Sequence, residues 1–291
     1  MQPPERTRGF FTFAQNTNTT DYIRLAYGLA LSLKHSQKNV SNLSIAVTPG
    51  TIVDSRYKWA FDQIIEIPWG DQAEDSNWKL ENEWKSPWMS PYDETIKLDC
   101  DMLFLTDISS WWDALGLGDD DIVWTNSVLY WRGGTITNDY YRKVFTANSL
   151  PNIYTAFCYF RKSPTVFETF ELAKLITWNW ERFFELFLEP NTRPTYFSTD
   201  VAFALAVKII DFDQSSYIAR TYPTFTHMKS HLQGWTDDFI SENWQDHLKT
   251  FFTSDCDLKI GNHRQIYPLH YNVKNFLSDE IITAYESLLQ K

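Results

Sequence analysis

Cysteine is scarce in this chain. The 291 residues hold 3, at Cys100, Cys158 and Cys256, an odd number at wide spacing. Neither a disulfide framework nor a zinc-knuckle spacing follows, and a reducing compartment is the simplest setting. Long apolar runs are missing too. Val201 to Ile210 is broken by Lys208 and is too short to span a bilayer. The opening stretch, Met1 to Phe10, has charges and prolines but no apolar signal-peptide core. The sequons at Asn18, Asn39 and Asn42 then mean little, and the expectation is a cytoplasmic protein with no membrane span. Net positive charge is absent: 26 Lys and Arg face 37 Asp and Glu, giving −11. An acidic surface repels phosphate backbones and excludes a general nucleic-acid coat, though a local basic groove stays open. Repeats, low-complexity tracts and a Gly/Ser/Pro-rich linker are also missing, so residues 1–291 read as one domain.

What is abundant is aromatic. Trp, Tyr and Phe make up 17% of the chain, which rules out disorder over most of its length. Phe10 to Ala14 reads as a buried first strand, and Thr20 or Asp21 can cap a helix over Tyr22 to Lys34. Strands follow at Leu43 to Val47 and Phe61 to Ile67, then a helix over Trp78 to Met89 and a strand over Glu94 to Leu98. That order predicts an α/β protein with a parallel sheet. Further on, the pattern predicts strands at Ile122 to Thr125 and Ile153 to Arg161. One long helix is expected over Pro164 to Leu188, a short one over Thr199 to Ile209 and a closing one over Asp279 to Leu289. Short strands and loops are expected in Ile218 to Phe225 and Leu258 to Leu269.

The sharpest chemical feature is Thr95 to Ile108, TIKLDCDMLFLTDI. Asp99 and Asp101 lie two residues apart, on one side of an extended segment, between two apolar runs. Burying both without partners is costly, because each is desolvated and they repel. A hard divalent cation removes that cost, and Mg²⁺ or Mn²⁺ takes such carboxylates together with substrate phosphates. The spacing alone is not specific. Asp119/Asp121 reads as a solvated turn and Asp255/Asp257 as a strand entry, while Asp211/Asp213 also follows an apolar stretch and competes. Cys100 faces away from the carboxylates into the core. His227 and His231 have a helical metal spacing but no accompanying zinc motif, and they read as structural.

Several segments, in order, resemble the GT-A fold glycosyltransferases, particularly the glycogenin-like family eight or a divergent neighbour. They are Phe13-Ala14-Gln15-Asn16 with Tyr22, Phe61 to Ile67, Trp84-Lys85, Lys97 to Leu103, Asp107 to Leu115, Tyr154-Thr155-Ala156-Phe157, Ser198-Thr199-Asp200 and Leu269 to Lys274. The resemblance covers about Gly9 to Phe276. It implies a GT-A, Rossmann-like, mixed and mainly parallel central sheet flanked by helices, with a nucleotide-binding half over about 9–110 and an acceptor-side half over about 111–291. It further implies a metal-dependent transfer of sugar from a nucleotide-diphosphate sugar to an acceptor hydroxyl, with retention. Asp99, Asp101 and His270 would bind Mn²⁺ or Mg²⁺, the histidine favouring Mn²⁺. Phe13, Ala14, Gln15, Asn16 and Tyr22 would hold the nucleotide, with Asp99 bridging to it. Lys274 would meet the distal phosphate, with Lys85 as a second candidate, and Asp200 would act as base or position the sugar.

Each residue also has a plainer reading: His270 as a structural histidine, Lys274 as a surface lysine, Asp200 as a helix cap, Tyr22 as core. The tryptophans, including Trp69, Trp84, Trp88 and Trp178, are either core or an acceptor groove. The acceptor is a carbohydrate, a protein or a modified base of DNA, the last helped only if Arg132, Arg142, Lys143, Arg161 and Lys162 form a basic patch. Two other classes compete. A nucleotidyltransferase is disfavoured because Gln15 to Thr20 has no glycine and no basic residue. A non-catalytic carbohydrate-binding protein would use the tryptophan surface without turnover.

Overall fold

A computed structural model describes residues 6–76, 79–136, 142–210, 222–229 and 243–290. The strands are β1 (Arg8–Phe13), β2 (Leu43–Val47), β3 (Ile64–Glu66), β4 (Glu94–Leu98), β5 (Met102–Leu103), β6 (Ile122–Thr125), β7 (Tyr154–Arg161), β8 (Thr226–His227), β9 (Thr250–Phe252), β10 (Leu258–Ile260), β11 (His263–Arg264) and β12 (Leu269–His270). The α-helices are α1 (Tyr22–Ser36), α2 (Ser55–Lys58), α3 (Ser86–Met89), α4 (Ser109–Gly116), α5 (Lys143–Ala147), α6 (Pro164–Trp178), α7 (Trp180–Phe187), α8 (Thr199–Ile209) and α9 (Asp279–Leu289).

The expected α/β architecture, a mixed and mainly parallel sheet flanked by helices, is the one observed. Six strands lie in the order β3-β2-β1-β4-β7-β6. β1 to β4 run parallel, β7 is antiparallel to β4, and β6, antiparallel to β7, returns to the direction of the first four. β2 and β4 are buried along their whole length, as strands covered on both faces must be. Alternation sorts the side chains. Ile96, Leu98, Phe157 and Tyr159 enter the core under α1 and α9, while Cys158, Phe160 and Trp124 enter the core under α6 and α8. Lys97 therefore points to the second face, where its charge needs a partner.

The chain steps outward from β1 to β3 and then returns to place β4 on the other side of β1. Such a reversal leaves a crevice beyond the carboxyl ends of β1 and β4, where open α/β sheets bind ligands. Ala14-Gln15-Asn16 follow β1, and Asp99-Cys100-Asp101 follow β4. A second, three-stranded sheet in the order β5-β12-β8 closes this end.

Two helices differ from the sequence pattern. Trp78 to Met89 is not one helix: Trp78 lies outside the described residues, Glu83–Lys85 forms a 3-10 turn, and α3 begins only at Ser86. Pro87 has no N–H to donate backward, so it sits in the first turn and prevents earlier α-helix. Pro164 to Leu188 is likewise two helices. Asn179 leaves helical geometry at φ −131 and donates from Nδ2 to the Leu175 carbonyl, which ends α6. The strand expected in Ile218 to Phe225 falls partly outside the described residues, and the strand present is β8. Asp21 caps α1, accepting from the Arg24 N–H at 3.0 Å. Among the described residues no helix is long and apolar enough to cross a membrane.

Candidate metal and nucleotide site

The small sheet assembles the site. In its register His270 of β12 stands opposite Met102 of β5, and beside His270 stands His227 of β8. Met102 follows Asp101 directly, so pairing two short strands carries an imidazole from near residue 270 to the carboxylates near residue 100. Among the described residues, Asp99, Asp101 and His270 are the group of potential metal ligands that converges, with ligand atoms within 4.8 Å of one another. His270 Nε2 lies 3.2 Å from Asp101 Oδ2 and 3.8 Å from Asp99 Oδ2. Asp101 and His270 are buried and Asp99 is partly open. Lys274 reaches the same Asp101 oxygen from the turn after β12. Burial works against the Asp101 charge, but Lys274 and His270 hold its carboxyl well below the usual carboxylate range. Asp101 in turn lifts the Lys274 ammonium above the ordinary lysine range despite burial.

A divalent cation fits this set. Two hard carboxylates and one imidazole are a donor set that Mn²⁺ accepts. His270 Nδ1 is buried and has no hydrogen-bond partner. The Nε2 side instead is directed at the carboxylates, and a cation between them would engage it.

The structure brings Tyr22 to this cluster as well. Lys274 Nζ is 5.6 Å from the Tyr22 ring centroid, and burial raises the phenol above its ordinary value. Asn16 lies at the same turn, but its Oδ1 accepts from the Ile23 N–H at 3.0 Å. Phe13 and Ala14 are buried at the end of β1. Gln15 and Lys85 belong to a neighbouring network. Gln15 donates to Asp71 at 2.7 Å and Thr48 at 3.0 Å and accepts from Asn82 at 2.9 Å. The Lys85 ammonium is fully buried and donates to the carbonyls of Pro68 and Gly70.

Asp200 is not the cap of α8. Ser198 takes that place, accepting from the Val201 N–H at 3.5 Å. Asp200 Oδ1 accepts from the Thr155 N–H at 2.8 Å and hydroxyl at 2.7 Å, and its Oδ2 pairs with Arg142 at 2.9 Å. Burial works against its charge, but Arg142 and Thr155 hold the carboxyl below the usual range. The proposed basic patch is not a free one. Arg142 is tied to Asp200 and Arg161 to Asp121, the latter at 2.8 Å.

Two other Asp-x-Asp pairs separate from the site. Asp121 pairs with Arg161, and Asp257 pairs with Arg264 at 2.6 Å. Asp211/Asp213 and His231 lie outside the described residues. Cys100 is buried and free, as are Cys158 and Cys256.

Three neighbours of the site were given no role there by the sequence. His227 stacks on His270 at 4.8 Å between ring centroids. Burial, then His270 and Lys229, push the His227 imidazole well below its usual value. No spacing announces this pair, because it depends on β8 and β12 lying side by side. Glu83 and Lys97 form an ion pair of 2.8 Å beneath Asp99. Lys97 did leave a signal: it is a charge inside an apolar strand, two residues before Asp99.

No known family profile and no curated protein matches the chain in sequence. Solved structures resemble it at low identity. The glycosyltransferase GlyE of Streptococcus pneumoniae TIGR4 is 12% identical, with TM-score 0.38, over 71% of this chain and 44% of that one. The galactosyltransferase LgtC, in complex with donor and acceptor sugar analogs, is 11% identical, with TM-score 0.43, over 68% and 70%. Mouse xyloside xylosyltransferase 1 is 10% identical, with TM-score 0.42, over 82% and 90%. The chain thus spans less than half the length of GlyE. Likeness at this level carries no argument about chemistry, which rests here on the side chains.

Proposed function

We propose that the chain is a single catalytic unit that transfers a sugar from a nucleotide-diphosphate sugar to an acceptor hydroxyl, with Mn²⁺ or Mg²⁺ as cofactor. The observation that carries this reading is the convergence of Asp99, Asp101 and His270 at the carboxyl ends of β1 and β4. Bound there, the cation would supply Lewis-acid stabilisation of the charge that develops on the diphosphate leaving group. Asp101 and His270 would hold it directly, and Asp99 would complete the set or reach the ribose.

Lys274 would neutralise the distal phosphate, a role supported by its position beside Asp101 on the turn that follows His270. Tyr22, at the start of α1, presents a ring for the base next to that lysine. The state of Asp200 supports retention. Both its oxygens are engaged, and its carboxyl is held below the usual range, so it is a weak base for an acceptor hydroxyl. Its role is then to fix Thr155 and Arg142 at the sugar side of the crevice. A carbohydrate or protein acceptor agrees with the pairing of Arg142 and Arg161 better than DNA does.

The test is release of nucleoside diphosphate from a panel of nucleotide sugars with Mn²⁺, with and without chelator. Metal-dependent release from at least one donor is expected. Binding of sugars without release from any donor would favour the non-catalytic carbohydrate-binding reading.

A further inference from the structure

Asp99 is the least buried member of the cluster, and a carboxylate on a bend needs something to aim it. Lys97 lies two residues earlier on the same face of β4, with its side chain 6% exposed. Its ammonium donates to Asp99 Oδ1 at 3.2 Å and to the Thr155 carbonyl at 3.1 Å, and it forms an ion pair with Glu83 Oε2 at 2.8 Å. By taking Oδ1, it leaves Asp99 Oδ2 turned toward His270 Nε2, 3.8 Å away. Thr155 in turn donates twice to Asp200, which pairs with Arg142. One buried lysine therefore links the metal-side carboxylate to the acceptor-side carboxylate.

We propose that Lys97, anchored by Glu83, is a positioning residue that presents Asp99 Oδ2 to the cation and ties that geometry through Thr155 to Asp200. The proposal rests on the metal reading above.

Stability alone does not account for the pair. Taking two charges out of water costs several kcal/mol per ion, and an apolar pair of similar volume is often as stable or more so. Here one ammonium serves two carboxylates, and burial, against the pull of Lys97, pushes the Glu83 carboxyl above the usual range. Partners that orient a ligand are a different matter, because their loss typically weakens metal affinity 10- to 100-fold.

The experiment measures Mn²⁺ affinity by isothermal titration, together with melting temperature without metal. It compares the wild-type chain, the double variant Glu83→Leu/Lys97→Met, Lys97→Gln and Glu83→Gln. The double variant removes both buried charges. It is expected to melt near or above wild type while its Mn²⁺ affinity falls about tenfold or more. Lys97→Gln, which shortens the donor, should show the same loss of affinity. Glu83→Gln still offers an oxygen to Lys97 and should stay within about threefold of wild type. Wild-type affinity in a folded double variant would overturn the proposal, as would failure of both Lys97 variants to fold, which would make Lys97 a residue of the fold. No uptake by the wild-type chain would instead sink the metal reading itself, so the two failures are distinguishable.

Discussion

Two polar networks lie at the same edge of the sheet, and they are built on opposite principles. In the first, Asp71 accepts from Gln15, Thr48, Asn82 and the Ala73 N–H. Burial works against its charge, but those donors hold its carboxyl below the usual range. Beside it, Lys85 ties down the carbonyls of Pro68 and Gly70. The donors and acceptors match, and the network is closed. In the second, Asp99 and Asp101 carry like charge toward one point, joined there by His270 Nε2. Burial of polar groups is common to both. Convergence of two carboxylates and an imidazole on one point belongs, among the described residues, to the second, and it favours a place for a ligand over a brace.

Substitutions at four positions break or sharpen that contrast. The largest effect is expected from Asp101→Ala, which should lower Mn²⁺ affinity more than about 100-fold and abolish the rise in melting temperature that Mn²⁺ produces by mass action. Thermal melts with and without Mn²⁺ check it, and a variant that still responds to Mn²⁺ would erase the distinction between the networks. Asp71→Ala should behave in the reverse way. It strands the donors of Gln15, Thr48 and Asn82, so urea unfolding should show a loss of about 3 kcal/mol, with Mn²⁺ affinity unchanged in the folded protein.

Asp200→Asn comes next, and its effect depends on pH. The folded carboxyl titrates below its unfolded value of about 3.9, so its stabilisation is present above that pH and is lost as pH falls through the folded value. The variant should melt roughly 5 to 10 °C below wild type at pH 7, and the gap should narrow below about pH 4. A gap independent of pH would mean that the charge of Asp200 is not what matters. The smallest effect belongs to Asn272, which turns the chain between His270 and Lys274 at φ +56. Glycine adopts that geometry freely, so Asn272→Gly should change stability by about 0.5 kcal/mol or less, whereas Asn272→Val should cost about 1–2 kcal/mol. Chemical denaturation of the two variants separates backbone preference from loss of the side chain.

The long, regular elements were legible in the sequence because their periods are sustained. β2, β4 and α8 match the expected boundaries, and β1 and α1 differ by a residue or two at their ends. The two-residue strands β5, β8 and β12 were not, since two residues carry no period, and their pairing exists only in the folded chain. That limit falls on the site. Asp99 and Asp101 stood out through spacing and apolar flanks. His270 and Lys274 came from the resemblance, because nothing local distinguishes a ligand histidine from a packed one. Glu83 left no signal and His227 was read as structural: each acquires its meaning from a partner on another strand. Gln15 and Lys85 show the converse. Both fall where the resemblance expects donor contacts, yet their polar atoms are engaged within the protein.

The central claim is that one cation is gripped between residues from the middle of the chain and an imidazole from near its end. Manganese uptake by wild type and by His270→Ala, followed through the paramagnetic resonance signal of free Mn²⁺, tests it most directly. The predicted result is one bound Mn²⁺ per wild-type chain and an affinity at least about tenfold weaker in the variant. Equal affinity in the two proteins, or no uptake by wild type, would contradict it.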